Sequence, residues 1–388
     1  MLRLLHTADV HLGARHADLG DQAVALRERC FAAFRATVDL AIAEKVDLFL
    51  IAGDLFDSNV QPRRSVERAA AELRRLVDAR VRVVLIPGTH DVYDRASIYR
   101  AYDLATMAGS APDDDRVTLL TPERPDVVLK TLDAVVFARV FETKRAPESP
   151  LAKLSATAEE RAKWRIGMIH GAIAIPGVVE RDEVIVTVEE IASSGLDYLA
   201  LGHWHSAQQG KAGSTTYAYS GAPEPVAIDQ DRAGKVLLVT LDERDGGRHV
   251  EVEERQVGRI HFDSVRIDAA ALASQPALVD GLRSMADPDL VLEVTLVGVR
   301  PDELDVEADE VEAELGDDFF RIRVRDRSVP PLTEGALPPP DTVAGAFLRD
   351  MEARIAELEA AGVDDDAAEL RDSLRVGRLL LAGHEVTL

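Results

Sequence analysis

The sequence predicts an α+β chain: its first two thirds build two sheets flanked by helices, and a small α+β module and a terminal pair of helices follow. Three observations predict it. Over residues 1–260 short apolar runs alternate with helical patterns, as when strands and helices are layered around a buried sheet. From Val117 onward the strand-like runs crowd together, which calls for a second sheet. Near Gly258 the composition shifts to a strand, helix, strand, helix, strand order.

The clearest strands are residues 2–5, 46–52, 81–86, 166–169 and 198–201, and residues 22–45 and 63–79 read as amphipathic helices between the first three. Residues 235–241 and 249–257 pair as a hairpin across a turn at 243–247. The later module comprises strands 262–267, 290–296 and 319–324 with helices 269–285 and 301–315. Residues 329–340 hold five prolines. Lacking amide hydrogens, these prolines cannot enter a regular helix or central strand, so the segment reads as an extended linker. Val343, Phe347, Met351, Ile355 and Leu358 then recur at helical spacing. Leu370, Leu374 and Leu381 mark a second helix after an acidic break at Asp364-Asp365-Asp366.

A length of 388 residues suits two domains and a small third piece. With 46% hydrophobic and 29% charged residues the composition is that of a globular protein. No apolar stretch reaches the roughly 20 residues of a membrane span and no signal-peptide pattern opens the chain, so we expect a cytoplasmic protein without a membrane partner. The single cysteine, Cys30, lies in a helical pattern, reads as core, and agrees with a reducing compartment. A net charge of −24 argues at first against nucleic acid. Its distribution weakens the objection: residues 1–260 carry 33 Lys+Arg against 40 Asp+Glu, and residues 261–388 carry 12 against 29.

The chemistry lies where five apolar runs end. Asp9 and His11 follow the first run, Asp54 and Asp57 the second, and Thr89, His90 and Asp91 the third; His170 follows the fourth, and His203 and His205 the fifth. Ligands of open α/β sheets bind beyond the carboxyl ends of strands, so these loops can converge although far apart in sequence. Gly53, Gly88 and Gly202 stand beside the candidates and permit tight turns. Asp with His, and no Cys, suits borderline divalent ions such as Mn²⁺, Fe²⁺ or Zn²⁺. Two such ions need a shared carboxylate, for which we choose Asp54, and could activate water on a phosphate. His6, His16, His249, His261 and His384 lack comparable partners and read as structural, while Asp57 and Asp94 read as turn or supporting groups.

The segments LLHTADVHLG, IAGDLFD, PGTHD, IHGA and LGHWHS resemble, in order and spacing, the motifs of calcineurin-like metallophosphoesterases, and within them the SbcD/YhaO-like DNA-repair exonucleases, over essentially the whole chain. The resemblance implies an αββα two-sheet sandwich at 1–260, a capping domain at 261–328, a linker at 329–341, and helices at 342–388 that bind a partner ATPase. It also implies a Mn²⁺-dependent nuclease acting on DNA ends and single strands, an SbcC-like coiled-coil ATPase partner, and room for a homodimer. By position, Asp9, His11 and His205 would hold one metal, His170 and His203 the other, with Asp54 bridging. His90 would act on the scissile phosphate, oriented by Asp91. Thr89 stands where the family usually has Asn, replacing an amide ligand of the second metal with a hydroxyl. Arg63, Arg64, Arg95, Lys144 and Arg145 are candidates for a DNA path. The alternatives are a phosphoesterase for small nucleotides or phosphoproteins, and a weakly active regulatory subunit.

Overall fold

The apolar runs become strands because a double layer of sheet buries them on both faces. The computed structural model describes residues 1–16, 22–111, 114–152, 162–175, 177–179, 181–225, 230, 232–244, 246–301, 304–329 and 338–381, and divides into two units, Met1–His261 and Phe262–Leu388.

In the first unit the strands are β1 (Leu2–Thr7), β2 (Leu48–Ala52), β3 (Arg82–Ile86), β4 (Val117–Leu119), β5 (Asp126–Leu129), β6 (Ala134–Ala138), β7 (Trp164–His170), β8 (Ala172–Ile173), β9 (Ile185–Val186), β10 (Tyr198–Gly202), β11 (Gln208–Ala212), β12 (Thr215–Tyr219), β13 (Lys235–Arg244) and β14 (Gly247–Gln256). One sheet runs β14-β13-β1-β2-β3-β4, and the other β11-β12-β10-β7-β6-β5. Strands β1 to β4 are mutually parallel, as are β12, β10, β7 and β6, so the carboxyl ends gather at one edge of each sheet.

Alternation along the strands sets the layers. Leu2 and Leu4 of β1 and Leu48 and Leu50 of β2 meet Val136, Ile166, Met168 and Ala200 of the other sheet. Leu5, Phe49 and Ile51, on the opposite face, pack on helices α1 (Gln22–Ala43) and α2 (Arg63–Asp78) through Phe34, Val38, Leu73 and Leu76. Ile169, Leu199 and Leu201 cover the outer face of the second sheet with Val184, Val186 and Ile191, the last on the short helix α5 (Val188–Ser193), while α3 (Ile98–Ala101) and α4 (Leu104–Met107) lie between β3 and β4 in the chain. This is the αββα sandwich that the resemblance implies. His6 points between the sheets, 2.9 Å from the Tyr198 hydroxyl, and burial pushes its pKa down to about 3, so it is a neutral core histidine. Cys30 is also core, its thiol pushed up to about 12 by burial.

The second unit holds a three-stranded sheet of β15 (His261–Asp268), β16 (Asp287–Val297) and β17 (Phe319–Asp326), packed on α6 (Gln275–Arg283) and α7 (Ala308–Leu315) through Leu278, Val294, Val311 and Leu315. The helix expected over 269–285 starts later, because Ser274 caps the Ala277 amide and Pro276 occupies the first turn. The helix expected over 301–315 likewise starts only at Ala308. In the terminal pair, α8 (Val343–Ala360) and α9 (Asp364–Leu381), the acidic triplet lies inside the second helix. The break falls at Gly362, whose φ of 73° ends α8. Residues 330–337 of the proline-rich segment, and His384, lie outside the described residues. Among the described residues no helix is long and apolar enough to cross a membrane.

Candidate metal centre

Each candidate side chain sits just past the carboxyl end of a parallel strand: Asp9 and His11 after β1, Asp54 after β2, Thr89 to Asp91 after β3, His170 closing β7, and His203 and His205 after β10. The loops are stitched together. The Asp9 amide donates to Gly53 O (3.2 Å), and the His11 amide to Asp54 O (3.0 Å). Across the sandwich, His170 Nδ1 donates to Ala52 O at 2.9 Å, which fixes Nε2 as the lone-pair atom.

Among the described residues three groups of carboxylate and imidazole atoms result, each with its atoms within 4.8 Å of one another: two share Asp9, namely Asp9 with His11 and His205 and Asp9 with Asp54 and His170, and a third joins His11 to Asp57 and the half-exposed His90. His11 Nε2 and His205 Nε2 face each other at 3.2 Å. Asp54 Oδ2 lies 3.1 Å from His170 Nε2 and 3.9 Å from His11 Nε2, while its Oδ1 accepts from the His90 amide at 2.8 Å. One Asp54 oxygen thus holds the third loop in place and the other lies between imidazoles of the two groups that share Asp9.

The backbone is bent to achieve this. Asp9, His11, Asp54 and His203 have φ of 53°, 48°, 52° and 101°, a region that non-glycine residues seldom occupy; Lys45, Arg80 and Asp133 share it elsewhere, so what sets these four apart is that they gather where the strands end. Gly53 combines a φ of 94° with close approach: a β-carbon there would lie 2.3 Å from His170 Nδ1. At Gly88 one would lie 2.2 Å from Asp54 Oδ1, and at Gly202 one would lie 2.1 Å from Ala52 O. The glycines are there mainly for lack of space, more than for the turns that the sequence invites one to read.

The profile of the calcineurin-like phosphoesterase family matches residues 2–207, a span that contains every candidate ligand. The chain belongs to the calcineurin-like phosphoesterase family. It is 30% identical over 267 residues to the DNA double-strand break repair protein Mre11 of Aeropyrum pernix, covering 62% of this chain and 58% of that one. It is 24% identical over 286 residues to the uncharacterized metallophosphoesterase YhaO of Bacillus subtilis, covering 71% and 65%. It is 23% identical over 405 residues to the Mre11 of Halobacterium salinarum, covering 97% and 98%. The chain therefore spans roughly three fifths of the length of the first two relatives and nearly all of the third.

Calcineurin-like phosphoesterases use a pair of divalent metal ions, and the residues of this chain fit such a pair. His170 Nε2 and His11 Nδ1 are buried and face carboxylate oxygens, Asp54 Oδ2 at 3.1 Å and Asp57 Oδ1 at 3.5 Å, without hydrogen-bond alignment, an arrangement that costs free energy unless something else satisfies them. Burial alone would lower the His170 pKa, but the facing carboxylate of Asp54, with that of Asp9, raises it to about 10. For Asp54 burial works upward, and His170, His11 and His90 outweigh it, holding the carboxyl well below its usual range. The site is built for positive charge, and a cation competes with the proton for the same nitrogen. His205 is held low by burial and by the neighbouring His11 and His170.

Not every assigned contact is found. Asp91 does not orient the His90 ring: its carboxylate accepts from the Gly88 amide (2.7 Å), the Phe56 amide (3.1 Å) and the Tyr99 hydroxyl (2.5 Å). Burial, then the nearby Asp54 charge, pushes Asp91 up to about 6. The His90 ring leans instead on Asp57, with Nδ1 donating to the Asp57 carbonyl at 3.1 Å, and Asp57 also lies 3.5 Å from His11 Nδ1. His203 joins none of the three groups through its ring: its amide donates to both Asp9 oxygens at 3.0 Å, and its Nε2 lies 3.1 Å from Asp182 Oδ2. Thr89 is buried beside His170 in the wall of a small cleft that Arg139 and Lys144 also line. Arg63 pairs with Glu67 along its own helix. Asp182 and Gln230, whose side-chain amide lies 2.6 Å from His205 Nδ1, escaped the sequence reading. Each sits among other polar residues in the sequence, Asp182 beside Arg181 and Glu183 and Gln230 between Asp229 and Asp231, with no spacing to single it out.

Proposed function

We propose that this phosphoesterase is a two-metal DNA nuclease, acting at ends and on single strands, with Mn²⁺ as the metal and an SbcC-like coiled-coil ATPase as partner. The observation that carries the reading is a buried acidic and imidazole cluster with one half-exposed histidine, His90, at its mouth. The relatives described as DNA double-strand break repair proteins support DNA as the substrate.

Asp9, His11 and His205 would hold one ion, His170, His203 and Thr89 the other, with Asp54 shared by both. When bound, the pair neutralises a phosphodiester and activates water for in-line attack. His90 contacts the scissile phosphate. With Nδ1 tied to the Asp57 carbonyl, its Nε2 is the atom that can donate a proton to the leaving ribose oxygen. The test is an assay of cleavage with Mn²⁺ on linear duplex, circular and single-stranded DNA, run beside bis(p-nitrophenyl) phosphate. Cleavage of the small ester but of no DNA would overturn the nuclease reading in favour of a small-nucleotide or phosphoprotein substrate.

We assign residues 261–328 to a capping domain, 329–341 to a linker and 342–388 to partner binding. Val343, Phe347 and Leu380 are exposed at 83%, 36% and 57%, and exposed apolar groups on a helical pair mark an interface. Truncation after Pro340 should keep cleavage of short single strands and abolish co-purification with the ATPase. Unfolding of the truncated chain would show that these helices belong to the fold itself.

A further inference from the structure

Beside the metal centre lies an open cleft of about 490 Å³, lined by His203, Trp204, His205, Gln208, Gln230 and Arg232. Its size is that of a small-ligand site. Two of its walls are candidate metal ligands, so whatever enters it is contiguous with a phosphate held at the centre. Trp204 stands between those two histidines and is only partly buried. One face of its indole is stacked on Tyr219, with ring centroids 4.7 Å apart and planes 18° from parallel. Tyr219 is itself fully buried and donates its hydroxyl to Gly171 O at 2.9 Å, so the platform beneath the indole is fixed. A rigid aromatic ring backed by protein on one face and forming part of a cleft wall is what a planar ring stacks on. Around it, the amide of Gln208 and the guanidinium of Arg232, which also donates to Glu254, supply polar edges.

We propose that Trp204 is a stacking platform for a nucleobase, that of the nucleotide carrying the phosphate at the metal centre. This rests on the phosphodiesterase reading above and deepens it: the site would recognise nucleotides by their ring, whatever the sequence. Stacking tolerates any base and favours the larger ring, so purines should be held more tightly than pyrimidines.

The test is binding, not turnover. The full chain loaded with Mn²⁺ is titrated with dAMP, with dTMP and with inorganic phosphate, by calorimetry and by tryptophan fluorescence. The chain has two tryptophans, and the other, Trp164, is 2% exposed, so quenching by a nucleotide reports Trp204. We expect dAMP to bind more tightly than dTMP, both more tightly than phosphate, and quenching only with the nucleotides. Trp204→Leu should shrink the ratio of dAMP to phosphate affinity about ten-fold, and Trp204→Phe should retain part of it. Because the two variants share any disturbance of the flanking histidines, the difference between them isolates the ring. An unchanged ratio in Trp204→Leu, or dAMP binding no better than phosphate in the parent chain, overturns the platform while leaving the metal centre intact. Failure of phosphate itself to bind overturns the phosphodiesterase reading, and the platform with it.

Discussion

The interior of the sandwich and its rim each hold a buried histidine, and the two are driven in opposite directions. His6, between the sheets with the Tyr198 hydroxyl and the Leu201 backbone beside it, is pushed down to about 3 by burial. His170, just as buried at the carboxyl end of β7, is raised to about 10 because Asp54 and Asp9 face it. Burial disfavours a charge in both, so the carboxylates alone make the difference. The same residue type is core filling in one place and a cation site a few residues further along the strands.

Removing the carboxylate should have the largest effect. Asp54→Ala turns the rim into another interior, so bound Mn²⁺ should be lost on dialysis and hydrolysis should become undetectable. Metal retained at the parent stoichiometry would refute the bridging role. His90→Ala tests the opposite claim, that this histidine belongs to the substrate and not to the metal. Turnover should fall roughly 10²- to 10⁴-fold, while metal analysis still finds both ions; normal turnover would remove His90 from the mechanism.

Thr89 sharpens the contrast between the two halves of the centre. Both halves have three side chains within 4.8 Å of one another, Asp9, His11 and His205 in one and Asp9, Asp54 and His170 in the other. On the proposed assignment the second would also use the Thr89 hydroxyl, a weaker neutral donor than an amide. Thr89→Asn should lower the Mn²⁺ concentration for half-maximal activity, by up to about 10 to 100-fold if ligation is restored in full, with the melting temperature of the metal-free protein unchanged. A neutral or weakened metal response would leave Thr89 as a turn residue.

The smallest effect lies in the interior. His6 protonates near its ordinary value when unfolded and only near 3 when folded. Between those limits the unfolded chain binds the extra proton, so stability falls as pH drops from about 6.5 toward 3, by at most about 1.4 kcal/mol per pH unit. His6→Gln, which can still accept from Tyr198, should make that slope shallower by about one proton in urea titrations. An identical slope would mean that His6 is not buried neutral.

The sequence announces β1, β2, β3, β7 and β10 because both faces of each are covered and the apolar run is therefore unbroken. It announces the ligands because they punctuate the ends of those runs. What it hides is set by three-dimensional proximity alone. Asp91 adjoins His90 in the chain, yet the turn after β3 aims it back at Gly88, Phe56 and Tyr99. Asp182 and Gln230 meet His203 and His205 from loops that carry no pattern. The late starts of α6 and α7 show the same limit: apolar periodicity covered 269–285 and 301–315, and local capping and turn chemistry decided where each helix begins.

The hydrogen bond from His170 to the Ala52 carbonyl joins partners 118 residues apart, and the contact of His11 with His205 spans 194. Such contacts are the slowest to form, because a long loop must close before either is rewarded. During synthesis, no nascent chain that ends before His205 can assemble the whole cluster. A hydrolytic centre distributed in this way is silent in every product cut short of His205 or only half folded, and its chemistry appears only once both sheets have closed around it.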